Sequence, residues 1–186
     1  MSETNKLCDI PYLPDDRVGY SVNGLAICGG KHLYDNSVLD NCKTLTLDGS
    51  EAVWSQTAVF QPPRYSHCNW QSSKGLYLMG GNGNENSTTL ITSPTTYVDG
   101  FKISPFREAC AIPDTDTDSV IITGGWWLAY LSSVTRYYVD GSKEELPNFN
   151  IARNDHGCSS YLDSQGNKVG KKKMQYFNFC SLFLRF

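Results

Sequence analysis

Three times in this chain an apolar run ends in a glycine pair: Leu25-Ala26-Ile27-Cys28-Gly29-Gly30, Leu76-Tyr77-Leu78-Met79-Gly80-Gly81 and Val120-Ile121-Ile122-Thr123-Gly124-Gly125. The second glycines are 51 and then 44 residues apart. A period of that length marks an array of supersecondary units, each burying its apolar faces against its neighbours. The chain is therefore read as successive copies of one unit.

A lone glycine pair is common, so the rest of the period carries the argument. An arginine precedes each run, at Arg17, Arg64 and Arg107, and a fourth recurs at Arg153, with spacings of 47, 43 and 46 residues. Histidine follows two of them three residues later, at His67 and His156. After each glycine pair comes a short segment ending in Asp-Gly: Leu45 to Gly49, Tyr97 to Gly100 and Tyr138 to Gly141. Prolines close the period at Pro62 and Pro63, at Pro105 and at Pro147.

A period near 45 residues accommodates four strands of five or six residues with short turns. The segment after each arginine is predicted as strand a, the apolar run as strand b and the Asp-Gly segment as strand c. Strand d is placed around Val53-Trp54, Phe101-Lys102-Ile103 and Glu145-Leu146. Gly29, Gly30, Gly80, Gly81, Gly124 and Gly125 permit positive φ or close backbone approach where strand b ends. Asp-Gly is a strong turn dipeptide and predicts a tight c–d hairpin. No segment has a 3.6-residue apolar period. The fold class is all-β.

Together these residues resemble the kelch family, whose blades carry Gly-Gly after an apolar strand, an aromatic in the next strand and often a tryptophan in the fourth. Trp54 matches that tryptophan, and Tyr97 with Tyr137 or Tyr138 supplies the aromatic. The resemblance implies a partial kelch-type β-propeller of four-stranded antiparallel blades at 17–62, 64–105 and 107–147, with the start of a fourth at 153–169. Residues 1–16 form a lead-in. Residues 170–186, with three lysines and many aromatics, repeat nothing earlier and read as a foreign tail on an interrupted array. Propellers need about four to eight blades to close. Open ends predict self-association of this chain.

The formal charge of −3 argues against a nucleic-acid surface, which needs a basic stripe. Lys171 to Lys173 are the clustered cations, and the residues after them are too few to span a bilayer. Met1 to Asp9 lack the basic start and apolar core of a signal peptide, so the default compartment is cytoplasmic, or extracellular if the N-terminus is incomplete. Asn86-Ser87-Thr88 is a glycosylation sequon.

Cys68, Cys110 and Cys158 follow an arginine by three to five residues and are predicted as small core fillers. Cys28 ends strand b and Cys42 begins strand c, so an antiparallel hairpin brings them to bridging distance. A disulfide or two free thiols both fit. Cys8 and Cys180 lie outside the repeats.

No catalytic, cofactor or metal site is expected. His67 and His156 share a repeat position, which suits a structural role. Asp114-Thr115-Asp116-Thr117-Asp118 begins like a calcium loop, but Ser119 and Gly125 stand where the glycine and glutamate belong.

Recognition through loops remains. In a meander the b–c and d–a connections emerge at one end, and they hold His32, Tyr34, Asn82, Asn84, Glu85, Trp126, Trp127 and Tyr130. Arg64, Arg107 and Arg153 enter from the same side. Arginine forks and amphipathic aromatics suit a protein or peptide partner, and the resemblance implies arginines that contact acidic peptides. The alternative for the arginines is internal pairing with aspartates or backbone carbonyls. A fragment of an extracellular galactose-oxidase-like or carbohydrate-active propeller is the other functional class.

Overall fold

A computed structural model describes residues 11–13, 15–48, 51–158, 161–162 and 168–169. The tail at 170–186, with its lysine triplet, lies outside the described residues, as do Cys8 and Cys180. The described residues form strands and no helix, so the chain is all-β. Among the described residues no helix is long and apolar enough to cross a membrane.

Three sheets have four antiparallel strands each, in the order of the chain. Sheet one joins Ser21–Asn23, Ala26–Cys28, Asn41–Asp48 and Glu51–Val59. Sheet two joins Cys68–Ser72, Gly75–Met79, Thr88–Ser93 and Thr96–Asp99. Sheet three joins Cys110–Asp114, Ser119–Thr123, Val134–Tyr138 and Lys143–Leu146. The first strands of sheets one and two touch, and so do those of sheets two and three. Tyr161–Leu162 and Lys168–Val169 make a further two-stranded pair.

Side-chain alternation explains why the run Leu76 to Met79 is apolar without interruption. Leu78 and Ile91, with Leu76, face sheet one and pack on Cys28, Cys42, Ala58 and Phe60. Tyr77, Met79 and Leu90 point to the opposite face and pack with Trp70, Ile103, Phe106, Val120, Ile122 and Tyr137. A strand covered on both faces needs apolar residues at successive positions. On the other face of sheet one Ile27 and Leu45 are buried, while Val22, paired with Ile27 at the edge, is exposed.

The Asp-Gly landmark has different uses in different sheets. In sheet three Tyr138–Lys143 turns through Asp140-Gly141, with Tyr138 N–H bonded to Ser142 O at 2.9 Å. In sheet two the third strand is Thr88–Ser93 and the turn falls at Pro94-Thr95, so Tyr97-Val98-Asp99 belongs to the fourth strand. Gly100 then leaves the sheet where a Cβ would collide with Thr88 Oγ1. Its glycine serves close approach rather than a hairpin. Phe101 to Ile103, read from sequence as strand d, are not a strand. Phe101 instead bridges the sheets, its ring 5.2 Å from Tyr77 and 6.0 Å from Tyr137.

The cysteines also divide differently. Cys28 and Cys42 are disulfide-bonded within sheet one. Cys110 and Cys158, expected as core fillers, form a second disulfide that ties sheet three to the following unit across 48 residues. Cys110 lies in the first strand of sheet three, which touches the first strand of sheet two. Chain-entropy reasoning assigns a loop of that length about 4 kcal/mol. Cys68 is the core filler: its thiol is buried and donates to Ala109 O at 3.1 Å. Burial pushes its pKa up to about 12, which keeps it protonated.

Backbone bonds join the units at a position that no residue type marks. Gly19, Ser66, Glu108 and Asp155 all have positive φ, between 46° and 63°. Ser66 N–H donates to Gly19 O, Glu108 N–H to Ser66 O and Asp155 N–H to Glu108 O, at 2.6, 2.9 and 3.0 Å. One arc of hydrogen bonds thus passes from unit to unit.

Candidate functional site

The connections between the second and third strands, and those entering each first strand, gather at one end of the sheets. A repeated junction builds that end. The second glycine of each pair donates its N–H to the chain entering the next unit: Gly30 to Arg64 O at 2.8 Å, Gly81 to Phe106 O at 3.0 Å, Gly125 to Arg153 O at 2.7 Å. A Cβ on Gly80 would lie 2.6 Å from Phe106 O, and one on Gly124 would lie 2.5 Å from Arg153 O. Glycine is required there because two backbones meet without room for a side chain.

His67 and His156 complete two of these junctions. Each ring sits over the glycine pair of the preceding unit, His67 near Gly29 and His156 near Gly124. His67 Nε2 bonds Ser21 Oγ at 2.8 Å, and His156 Nε2 bonds Thr123 Oγ1 at 2.9 Å. Burial, then the nearby Arg64, lowers the His67 pKa to about 3. Burial and Arg153 lower that of His156 to about 4. Both are neutral at pH 7 and hold neighbouring units together.

The arginines separate into two kinds. Arg64 is wholly buried. Its Nη1 donates to Gly80 O at 2.8 Å and reaches Asn84 O and Ser87 O, while Nη2 donates to Ser87 Oγ and Thr89 Oγ1. Arg17 does the equivalent in sheet one, donating to Gly29 O and to the Asn41 side chain and pairing with Asp15. As a partner-binding residue Arg64 is therefore corrected: its guanidinium fills the carbonyl cage of its own loop and does not reach the surface. Burial lowers its pKa to about 10, which still leaves it charged at neutral pH.

Asn84 belongs to the same cage, its Nδ2 donating to Pro63 O at 3.1 Å. Asn82 is half-buried, with its N–H on Tyr65 O. These two asparagines shape the loop rather than project from it. Glu85 accepts the Gly83 N–H.

Arg107 takes another course. Its guanidinium lies over the Trp126 indole, 4.0 Å from the ring centre. Backbone bonds run both ways between Arg107 and Trp126 at 3.1 and 2.8 Å. Arg153 lies over the Phe149 ring at 4.6 Å. On the Arg107 platform stands a small hairpin, Trp126–Trp127 paired with Ala129–Tyr130. Sequence reading placed an irregular loop here.

Leu128 is the sole residue between the paired strands and has φ of +59°. It is 80% exposed, and Tyr130 beside it is 63% exposed. A bulky side chain in the left-handed region at an exposed apex is costly and needs support from its surroundings. Trp127 is exposed too, whereas Trp126 packs on Arg107. Leu128 was missed in the sequence because no residue pattern forecasts a one-residue turn at leucine.

The corresponding loop of sheet one carries Tyr34, 79% exposed, and His32, half-buried with Nδ1 3.2 Å from Asp35 Oδ1. Tyr34 and His32 rings lie 5.7 Å apart. A hydrogen bond to Asp16 raises the Tyr34 pKa, so the phenol stays a neutral donor. Trp54 is turned elsewhere, its Nε1 donating to Pro11 O.

Asp114 to Asp118 form the turn between the first two strands of sheet three, at the opposite end. Asp118 accepts bonds from Ser73 N and Oγ of sheet two. Among the described residues no group of three His, Cys, Asp or Glu side chains is placed to hold a metal. No family model and no curated protein matches the chain.

Proposed function

We propose that the chain is a non-enzymatic, kelch-type segment of a β-propeller that binds a protein partner through the loops at its glycine-pair end. Three in-order meanders, first strands in contact and a repeated glycine junction support the propeller reading. In that reading the sheets are blades, and Arg153 to Cys158 open the next one.

A single observation carries the binding reading: the Trp126–Tyr130 hairpin, which presents Trp127, Leu128 and Tyr130 to solvent on an arginine-backed base. Anchored aromatics and an apolar tip fit a partner with an apolar groove. Tyr34 extends the same face. The arginines act behind it as supports rather than as contacts with acidic peptides.

Panning a peptide library on the full chain tests this. Enriched ligands are expected to lose at least about tenfold in affinity, roughly 1.4 kcal/mol, with Leu128→Asp or Tyr130→Ala. Ligands that bind both variants as well as the parent would sink the hairpin as the site.

A second reading, the extracellular oxidase-like or carbohydrate-active propeller, draws support from the two disulfides, which suit an oxidising compartment. Both readings share the blade architecture and differ in what the loop face does.

A further inference from the structure

We infer that Asn86 is an N-glycan acceptor and that this chain folds in the secretory compartment. The inference is independent of any partner for the hairpin. Asn86-Ser87-Thr88 is the one Asn-X-Ser/Thr sequence in the chain. It lies in the loop between the second and third strands of sheet two, and Asn86 is exposed. The backbone fixes that direction: Asn86 O accepts from Ile103 N at 3.2 Å, and Ser87 N donates to Asn84 O at 3.1 Å. An exposed Asn86 leaves its side chain open to solvent, where a glycan can be accommodated.

The two disulfides are the second, independent observation. Cys28–Cys42 and Cys110–Cys158 use four of the seven cysteines. Such bonds persist where the compartment is oxidising, which in eukaryotic cells is the compartment that holds the glycosylation machinery. Sequon and disulfides thus point to one address.

Burial also sets the order of events. The third residue of the sequon, Thr88, is buried, and its Oγ1 donates to Phe101 O at 2.8 Å. A transferase that must reach this hydroxyl meets it only before sheet two closes. Transfer therefore occurs on the unfolded chain. The Asn86 amide nitrogen attacks C1 of the first sugar of a lipid-diphosphate-linked oligosaccharide. A C1–N bond forms, the C1–O bond to diphosphate breaks, the lipid diphosphate leaves with the electron pair, and the amide gives up one proton.

The full chain is translated behind a cleavable secretory leader in the presence of endoplasmic-reticulum microsomes. Protease protection defines the translocated fraction. Most of that fraction is expected to carry a glycosidase-sensitive mobility shift. Asn86→Gln should abolish the shift and leave the protected fraction unchanged. Non-reducing peptide maps of the glycosylated chain should contain both disulfides, and chain folded before exposure to the transferase should stay unmodified. Protected but unshifted chain, a shift that survives Asn86→Gln, or glycosylated chain with all four cysteines free would each overturn the inference.

Discussion

Arg64 and Arg107 stand 43 residues apart at the same repeat position, yet the loops they serve behave oppositely. Around Arg64 the loop of sheet two folds back, its carbonyls from Gly80, Asn84 and Ser87 held by one buried guanidinium. Over Arg107 the loop of sheet three rises as a hairpin, because the guanidinium meets an indole face instead of a ring of carbonyls. The lesson is that one structural slot sets loop form by what the loop offers it. Oxygens pull a loop in, and an aromatic face lets it stand.

The largest test of that contrast is a pair of truncations. Arg64→Ala should cost about 4 kcal/mol in chemical denaturation, because it strands several buried carbonyls and leaves a void. Arg107→Ala should cost about 1 kcal/mol, the scale of a half-buried cation–π contact. Equal costs would erase the distinction.

Next come the glycines. Gly80→Ala places a Cβ against Phe106 at a junction between units and should cost about 3 kcal/mol. Gly24→Ala has similar φ but open space around it, so about 1 kcal/mol of backbone strain is all it incurs. Midpoints that fail to separate these variants would show that the junction is looser than its contacts imply.

Acid should act on the junctions and spare the hairpin. His67 stays neutral in the folded chain down to about pH 3, while its unfolded counterpart takes up a proton near 6.5. The unfolded state therefore binds more protons below 6.5, and stability falls as pH drops from there toward the folded value. From pH 7 to pH 5 the loss from His67 is about 2 kcal/mol. His156, more open to solvent, adds less. A flat profile of thermal midpoint over that range would remove His67 from the junction.

The smallest stability effect belongs to the hairpin apex. Leu128→Gly relieves a left-handed leucine and should leave stability unchanged or raise it by up to about 1 kcal/mol. Partner affinity should fall at the same time. A variant that loses stability instead would show that Leu128 is packed rather than presented.

Much of the scaffold was legible because repetition amplifies weak signals. The apolar run Leu76 to Met79 and the pairs Gly29-Gly30, Gly80-Gly81 and Gly124-Gly125 appear at one period, and their joint spacing carried the sheet order. Strand d of sheet two was misplaced because Asp99-Gly100 looks like a turn, whereas Pro94-Thr95 makes it. Cys110–Cys158 escaped notice because its partners lie in different units, and sequence separation does not reveal which first strands touch. At the candidate site the aromatics could be named from loop placement, but Arg64 could not be told from Arg107. What distinguishes them is the chemistry of the opposing loop, which emerges once the sheets are assembled.

The arc from Gly19 through Ser66 and Glu108 to Asp155 has a direction. Every donor lies later in the chain than its acceptor, so the sequence of peptide groups has a head and a tail. A unit joined by the same bond would take the same polarity, tail to head. Head-to-tail contacts of this kind build rings or open arrays, whereas a twofold dimer pairs like ends.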